Sequence, residues 1–293
     1  MKKLLFLINP VSGKQALEDD LMEVIDVFDR ADFEVTIHLT RGIDDLTKTV
    51  EERADEFDMI VCCGGDGTLN LAAGALYRTE SDTVLGYIPG GTTNDFANSR
   101  RINTFAPAAA EQIANGSERD VDLGVLCGKP FIYVAAFGML ADVSYQTSRE
   151  LKTNLGYAAY VIEGIKSLTT AKPFHIKIVH DGKELEGDFI YGMVSNSKRV
   201  GGIEMPIMQN VLYDDGEMEV MLVRQPKNAT DTQKLLNILV TQIPDNDTVY
   251  MFKAKNITFS SDTELHWTID GEYGGAYTET EVKVEEAAIK MVF

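Results

Sequence analysis

Cysteine is scarce in this sequence. The 293 residues include 3 cysteines, Cys62, Cys63 and Cys127. An odd number that includes an adjacent pair in an apolar run does not indicate a disulfide framework, and no Cys-x-x-Cys spacing indicates a metal site. We expect three small, buried hydrophobic side chains in a protein of a reducing compartment.

Long apolar runs are also missing. The first run, Leu4 to Ile8, stops at Asn9-Pro10, which is shorter than the roughly 7–15 residues of a signal-peptide core. No segment approaches the roughly 20 apolar residues that a membrane-spanning helix needs. The sequence therefore predicts a cytoplasmic protein whose first apolar run is a strand.

Basic residues are few relative to acidic ones. Lysine plus arginine number 27 and aspartate plus glutamate 46, which gives a formal net charge of −19. Because no basic tract offsets this charge, nucleic acid is excluded as a partner. The same charge argues against a strong standing attraction to anionic lipid surfaces. The 4 histidines are scattered without ligand spacing, so ordinary hydrogen-bonded roles are expected for them.

The first part of the chain alternates between strand and helix patterns. Strands are predicted over 4–8, 35–39, 59–63 and 84–88, and helices over 17–28, 46–57, 69–77 and 106–115. This βαβαβ order predicts a Rossmann-like parallel sheet with helices on both faces.

The pattern changes near Val121. Residues 121–126 and 131–136 flank Cys127-Gly128-Lys129-Pro130, which indicates a hairpin. Further strands are predicted over 174–179, 188–194, 218–223, 249–259, 264–269, 281–284 and 289–293, with helices over 157–168 and 230–242 and Asp-Gly turns at 181–182, 215–216 and 270–271. We therefore predict an α/β domain over 1–122 and an antiparallel, β-sandwich-like domain over 123–293.

The strongest local motif is Gly64-Gly65-Asp66-Gly67-Thr68, which follows a buried strand and opens a helix. Glycines there let backbone amides approach a phosphate, and the helix N-terminus adds partial positive charge. A carboxylate in such a loop makes sense if Mg²⁺ lies between it and the phosphates. The alternative is a glycine turn with a helix-capping side chain.

Two further loops follow parallel strands in the same way. They are Asn9-Pro10-Val11-Ser12-Gly13-Lys14 and Pro89-Gly90-Gly91-Thr92-Thr93-Asn94-Asp95-Phe96-Ala97. Ligands of open α/β sheets bind at the carboxyl ends of the strands. Three such loops in one short domain are hard to explain as turns alone.

Together these motifs resemble the catalytic domain of diacylglycerol kinases, in the soluble bacterial branch of that lipid-kinase family. The motif at 64–68 is shared with NAD kinases and phosphofructokinases, whereas the one at 89–97 is close to diagnostic of the lipid-kinase branch. The order and spacing match over nearly the whole chain, through Asp270-Gly271-Glu272. The resemblance implies an ATP- and Mg²⁺-dependent kinase that phosphorylates a lipid hydroxyl, with diacylglycerol as the first choice.

The resemblance also implies roles for individual residues. Contacts to ATP would come from the three loops and one strand end: Asn9, Pro10, Val11, Ser12, Gly13, Thr40, Gly64, Gly65, Asp66, Gly67, Thr68, Leu69, Asn70, Thr92 and Thr93. Asp66 would hold the catalytic Mg²⁺ through water, with Asp95 and Asp122 in the surrounding acidic network, and Glu272 would be the general base. A second, structural Mg²⁺ would lie at the Asp215 carboxylate and the carbonyls of Leu212 and Glu217.

Several alternatives stay open. The acceptor could be phosphatidylglycerol or a sphingoid base, the enzyme could be a soluble-metabolite kinase of the NAD kinase type, or the fold could serve as a non-catalytic sensor. The expected partners are ATP and a lipid at the inner face of the membrane, bound peripherally and transiently, and a homodimer is possible. Docking could use basic residues if they cluster: Arg100, Arg101, Arg149, Lys152, Lys166, Lys172, Lys198 and Arg199.

Overall fold

A computed structural model describes residues 1–11, 16–138, 172–200, 202–204, 211–241, 243–245 and 247–293 of the chain. The predicted helix over 157–168 and the predicted ligand residues Ser12 and Gly13 lie outside these ranges. Among the helices within them, none is both long and apolar enough to cross a bilayer.

The first half has the predicted alternation of strands and helices. Its elements are β1 (Lys2–Ile8), α1 (Ala16–Arg30), β2 (Phe33–Leu39), α2 (Ile43–Arg53) with a 3₁₀ turn (Ala54–Glu56), β3 (Met59–Gly64), α3 (Asp66–Thr79), β4 (Val84–Pro89), α4 (Asp95–Arg100) and α5 (Ala106–Asn115). Helix α4 was not predicted, because six residues are too few to show a helical period.

The first four strands run parallel in the order β2-β1-β3-β4. Strands β3 and β4 are buried throughout, in agreement with their continuous apolar runs. Strand β2 pairs with one edge of β1, and β3, which follows β2 in the chain, pairs with the other edge of β1. The strand order therefore reverses between β1 and β3, and ligands of such sheets bind at the carboxyl ends of the strands at this switch point.

The second half is mainly antiparallel. It comprises β5 (Glu118–Leu126), β6 (Lys129–Phe131), β7 (Val134–Gly138), β8 (Phe174–His180), β9 (Lys183–Ser195), β10 (Arg199–Val200), β11 (Ile203–Glu204), β12 (Met218–Arg224), α6 (Ala229–Thr241), β13 (Val249–Ala254), β14 (Asn256–Ile269) and β15 (Glu272–Val292). The predicted fold class, a Rossmann-like parallel domain followed by a strand-rich one, is confirmed.

Three predicted strand boundaries were wrong for local reasons. The run over 249–259 is interrupted at Lys255, and its second part continues as β14 through the predicted strand over 264–269. The strands predicted over 281–284 and 289–293 are one strand, β15, with an irregularity between Glu285 and Ile289. The strand predicted over 131–136 breaks after Phe131, so that β6 pairs with β5 while β7 pairs with β9 and β14.

Strand β15 belongs to both halves of the molecule. It pairs antiparallel with β14 and β5, and its last residues, Met291 and Val292, pair parallel with Leu85 and Gly86 of β4. The boundary predicted at residue 122 falls inside β5. The sheet is consequently continuous from β2 to β13.

Two apolar clusters form the core. One lies around the parallel sheet and its helices and extends into the antiparallel half, and the other lies within the antiparallel half. In the second, the rings of Phe137, Phe259 and Trp267 meet edge to face at centroid distances of 4.8–5.8 Å. Edge-to-face contacts add stabilisation to that from the burial of apolar area. The second half therefore has a well-packed apolar cluster of its own.

Candidate active site

The ends of β1, β2 and β3 meet at the switch point of the parallel sheet. The amide of Asn9 donates to the carbonyl of Cys63 at 3.0 Å, and the amide of Thr40 donates to the carbonyl of Ile8 at 2.9 Å. The side chain of Asn9 also donates from Nδ2 to Thr68 Oγ1 at 3.1 Å. Asn9 and Thr68, from two of the predicted motifs, thus lie with Thr40 at the carboxyl ends of the parallel strands.

The loop after β3 packs tightly against the loop after β4. The amide of Gly90 donates to the carbonyl of Gly64 at 2.7 Å. A Cβ added to Gly91 would lie 2.7 Å from the Cα of Gly65, and one added to Gly64 would collide with the Thr68 side chain. Glycine is therefore required at position 91 by packing against the neighbouring loop, and at position 64 by the first turn of α3. We call residues 9–11, 64–68 and 89–95 together the loop edge.

Asp66 lies at the centre of the loop edge. Its carboxylate accepts hydrogen bonds from the amides of Asp95 and Phe96, at 3.0 and 3.2 Å, and so caps the N-terminus of α4. The side chain is half-buried. Desolvation raises the pKa of Asp66, while the amide hydrogen bonds act in the opposite direction.

Asp95 connects the loop edge to the second half. Its side chain is 1% exposed, and both carboxylate oxygens accept the amide hydrogen of Gly202, at 2.9 and 3.1 Å. Ser99 of α4 also contacts the second half. Its hydroxyl lies 2.7 Å from that of Ser197, and its carbonyl accepts a hydrogen bond from Tyr213 Oη at 3.2 Å. The predicted acidic residue Asp95 is therefore at the junction of the halves.

Glu272 reaches the loop edge from the second half. It is the first residue of β15 and is exposed. A Cβ added to Gly67 would lie 3.9 Å from Glu272 Oε1. The structure thus brings the predicted general base beside the glycine motif at 64–68.

The remaining predicted nucleotide-binding residues differ in their exposure. Val11 is 88% exposed, and Pro10 and Thr92 are also exposed. Asn70 and Thr93 are half-buried, whereas Thr40 and Thr68 are buried. Leu69 is completely buried in the core around the parallel sheet, so its side chain serves packing, and a ligand could be reached only through its backbone.

Asp122 is buried for a reason that the sequence did not reveal. Its carboxylate accepts the amide hydrogens of Gly216 and Ala287, each at 2.8 Å. Desolvation raises the pKa of Asp122, and these hydrogen bonds oppose the shift. The Asp122 side chain thereby joins β5 to the turn before β12 and to the irregular part of β15.

The structural magnesium site predicted at Leu212, Asp215 and Glu217 stays a prediction, and the Asp215 carboxylate pairs with a lysine in this structure. Asp215 Oδ2 lies 2.5 Å from Lys253 Nζ, and Oδ1 accepts the amide hydrogen of Glu217 at 3.3 Å. The same ammonium lies 3.3 Å from Glu219 Oε1. Lys253 thus lies between the two carboxylates and offsets part of their negative charge. We call residues 212–219 together with Lys253 the lysine turn.

Arg100 was one of the candidate basic residues for membrane docking, but the structure has it half-buried and packs its guanidinium against aromatic rings. Its guanidinium lies 3.5 Å from the ring centroid of Tyr213 and 5.1 Å from that of Phe96. Burial lowers the pKa of Arg100 to about 10. Among the described candidates for docking, Arg101 and Lys172 are exposed.

Two buried groups near the loop edge were missed as site residues. Asp270 is 4% exposed, and desolvation raises its pKa to about 7. Tyr87 donates from Oη to the carbonyl of Gly64 at 3.1 Å, and burial raises its pKa well above the usual value. The only signal in the sequence was the Asp-Gly pair at 270–271, which also fits an ordinary turn.

Magnesium fits the donor set at Asp66. Among the described residues, no group of three or more histidine, cysteine, aspartate or glutamate side chains could hold a metal ion alone. Mg²⁺ usually keeps several waters and binds through one or two carboxylates together with substrate phosphates. Asp66 offers one such carboxylate within the glycine motif, and it is half-buried rather than closed off from solvent.

Comparison with known proteins agrees with this architecture. Residues 3–126 match the family model described as diacylglycerol kinase catalytic domain, and residues 134–293 match the YegS C-terminal NAD kinase beta sandwich-like domain. The chain is 32% identical to the diacylglycerol kinase of Bacillus subtilis (strain 168), over 94% of this chain and 91% of that protein. It is 30% identical to a Staphylococcus aureus diacylglycerol kinase, over 94% of this chain and 87% of that protein.

A solved structure extends the likeness to three dimensions. It is a crystal structure from Bacillus anthracis str. Sterne, of a protein proposed to be a diacylglycerol kinase. The TM-score is 0.86 at 27% identity, with 100% of this chain and 97% of that chain covered. The chain is a lipid kinase that belongs to the family of the diacylglycerol kinase catalytic domain and carries the associated YegS-type second domain.

Proposed function

We propose that this protein transfers the γ-phosphoryl group of ATP to the free hydroxyl of diacylglycerol, giving phosphatidic acid and ADP. One observation supports this proposal above the others. Glu272, from the second half, lies beside Gly67 of the glycine motif, where a Cβ would be 3.9 Å from its carboxylate. A proton acceptor and a phosphate-binding loop are thus adjacent, as phosphoryl transfer to an alcohol requires.

The loop edge is suited to hold the nucleotide. The three loops lie at the carboxyl ends of parallel strands, and their mutual packing depends on glycine. Backbone amides near the N-terminus of α3 favour phosphate oxygens. Exposed Thr92 and half-buried Thr93 offer hydroxyl donors from the neighbouring loop.

Asp66 would hold the catalytic magnesium ion. When bound, this ion would offset the negative charge of the phosphates and polarise the transferred group. Asp66 is oriented for this role by the amides of Asp95 and Phe96. Asp95 in turn is fixed by the amide of Gly202.

Glu272 would accept the proton of the lipid hydroxyl. The hydroxyl oxygen forms a bond to the γ-phosphorus while the bond from that phosphorus to the bridging oxygen of ADP breaks. Exposure of Glu272 leaves its carboxylate open to an acceptor entering from the second half. Asp270 and Asp95 are buried and bonded to amides, so neither is as accessible for this step.

The acceptor can be identified by phosphate transfer from labelled ATP in mixed micelles. The panel would contain diacylglycerol, phosphatidylglycerol, a sphingoid base and, in solution, NAD. We expect diacylglycerol to give the highest kcat/KM and EDTA to abolish the transfer. Preferred labelling of NAD, or full activity in EDTA, would contradict the proposal.

The base assignment can be tested with Glu272→Gln. We expect kcat to fall roughly 10²–10⁴-fold, the usual contribution of general base catalysis, with little change in the KM for ATP. Glu279→Gln is a matched control, because Glu279 is also exposed on β15. Its kcat should stay within about twofold of the wild type.

We also propose that the protein docks transiently on anionic lipid. Exposed Arg101 and Lys172 support this proposal, since a basic residue near such a surface contributes about 1 kcal/mol. Sedimentation with vesicles containing phosphatidylglycerol should show binding that weakens with salt. Equal binding to neutral vesicles would show that charge is not involved.

A further inference from the structure

Asp270 joins two parts of the chain that are far apart in sequence. Its carboxylate accepts hydrogen bonds from three successive amides, those of Ile132, Tyr133 and Val134, at 2.7, 3.1 and 2.8 Å. The amide of Asp270 also donates to the carbonyl of Val134 at 2.8 Å. The carboxylate therefore holds the break between β6 and β7 against the turn between β14 and β15.

A carboxylate is a costly choice at this position. The side chain is 4% exposed, and the charge of Asp66 acts together with desolvation to disfavour its ionised form. A two-residue turn with positive φ is equally well formed by asparagine or glycine. The turn itself thus does not require aspartate. The three amide donors favour it, because hydrogen bonds to an ionised carboxylate are stronger than those to a neutral side chain.

The turn that Asp270 fixes carries Glu272. Asp270 and Gly271 have φ values of 48° and 88°, and Glu272 follows at once, paired with Ile269 across the turn. The Glu272 side chain is exposed, so packing restrains it little. Its position beside Gly67 must then depend on where the turn places its backbone.

We propose that Asp270 is a positioning residue, which fixes the turn through the amides of residues 132–134 so that the Glu272 carboxylate is held at the glycine motif. This inference rests on the proposed function, in which Glu272 is the general base. Asp270 itself touches no reacting atom in this scheme. It contributes by limiting the conformations of the backbone that carries the base.

The chain contains the same device at a second place, away from the active site. Asp181 and Gly182 form a turn with φ values of 45° and 79°, between β8 and β9. The Asp181 carboxylate accepts the amide hydrogens of Lys255 and Asn256, at 3.3 and 3.2 Å, where β13 ends and β14 begins. No proposed catalytic residue follows this turn, so Asp181 is a matched control.

The experiment is a double-mutant cycle on full-length protein, with kcat and the KM for ATP measured on diacylglycerol micelles. The variants are Asp270→Asn, Glu272→Gln, their combination, and Asp181→Asn. Asparagine suits the first position of these turns, so the turn should still form. We expect Asp270→Asn to lower kcat about 30-fold with the KM for ATP within about twofold, and Asp181→Asn to change neither.

The combined variant distinguishes a positioning role from a structural one. If Asp270 acts through Glu272, the combined variant will be no slower than Glu272→Gln alone. Multiplied losses, or an unchanged kcat in Asp270→Asn, would overturn the inference while leaving the base assignment intact. Full turnover by Glu272→Gln would instead reject the base assignment, and the inference with it.

A second variant covers the case in which Asp270→Asn does not fold. Asp270→Gly adopts a positive φ without strain and removes the carboxylate. We expect it to lower kcat at least as much as Asp270→Asn, with retained binding of ATP as proof of folding. Wild-type kcat in this variant would overturn the inference.

Discussion

Two groups of buried or half-buried carboxylates lie in this protein, and they have different partners. At the candidate active site, Asp66 and Asp270 accept hydrogen bonds from backbone amides, and no ion pair with lysine or arginine is formed by either within the described ranges. In the lysine turn, Asp215 and Glu219 share the ammonium group of Lys253.

The difference concerns charge rather than hydrogen bonding. Amides satisfy carboxylate lone pairs without bringing a positive charge, so an ionised carboxylate in such a site can still attract a cation. An ammonium group neutralises the charge within the fold. The active site should therefore depend on an added cation for activity, whereas the lysine turn should depend on Lys253 for stability.

The largest expected effect would come from Asp66→Asn. Asparagine can still accept a hydrogen bond from the start of α4 but cannot supply the negative charge that, in the proposed function, would hold Mg²⁺. We expect kcat to fall roughly 10³-fold, or about 4 kcal/mol of transition-state stabilisation, with Tm within a few degrees of the wild type. A Mg²⁺ titration of lipid phosphorylation would measure this effect.

Asp215→Asn is the control for that experiment. It removes a carboxylate of the lysine turn, so it should lower Tm and leave kcat within about twofold. If both variants lost activity equally, the contrast between the two regions would be wrong.

Next in size is the expected effect of Lys253→Met. Removing the ammonium leaves Asp215 and the 6% exposed Glu219 without a counter-charge. We expect the free energy of unfolding to fall by about 2–3 kcal/mol, less than for a fully buried pair because Lys253 is partly exposed. Urea denaturation would measure it.

Lys290→Met provides a matched control. Lys290 pairs with Asp82 at 3.0 Å on the surface, where Asp82 is almost fully exposed. Surface pairs contribute little, so stability should change by less than about 0.5 kcal/mol. A loss as large as that of Lys253→Met would remove the distinction between the two pairs.

The pH dependence of stability would sharpen the comparison further. Desolvation raises the pKa of Glu219 to about 7, above its usual 4.5. The folded protein thus binds this proton more tightly than the unfolded chain, and stability must fall as pH rises from about 5 to 8. We expect the contribution of Glu219 to be about 1–2 kcal/mol.

Glu219→Gln should flatten this dependence. The variant should retain part of the slope, since the pKa of Asp270 is also raised to about 7. Urea midpoints at pH 5 and pH 8 would measure both proteins. If the urea midpoint of Glu219→Gln differed between pH 5 and pH 8 by as much as that of the wild type, Glu219 would be ionised in the folded protein without an energetic penalty.

The smallest expected effect is that of Thr68→Val. Valine removes the hydroxyl that accepts the hydrogen bond from Asn9 and so loosens the contact between two loops. We expect the KM for ATP to rise about threefold, which corresponds to about 0.7 kcal/mol. Thr79→Val, at the other end of α3, is the control and should leave the KM for ATP unchanged. Equal increases of KM in the two variants would show that the hydrogen bond between Asn9 and Thr68 is not the cause.

Much of the first half was predictable because its signals are local. A continuous apolar run predicted β3, and the glycine motif after it predicted the loop that meets Asn9 and Glu272. A Cβ at Gly91 or Gly64 would collide with neighbouring atoms of the protein itself. The sequence could not show whether these glycines serve this packing or the binding of a ligand. The positions of these loops followed from the parallel strand order alone.

What could not be predicted depends on partners distant in the chain. Nothing near Asp270 indicates that its carboxylate meets the amides of residues 132–134. In the same way, nothing near Asp215 indicates that its carboxylate pairs with Lys253, which the pairing of β12 with β13 brings beside it. Arg100 looks like a surface charge until Tyr213 covers it.

The path of β15 has a consequence for synthesis of the protein. Its last residues provide the parallel neighbour of β4, so the parallel sheet lacks one strand until residues 291–292 have been synthesised. Contacts between such distant segments form slowly, and an unpaired strand edge invites aggregation. The first half should accordingly need protection by chaperones during translation, although its own sequence is the more regular of the two.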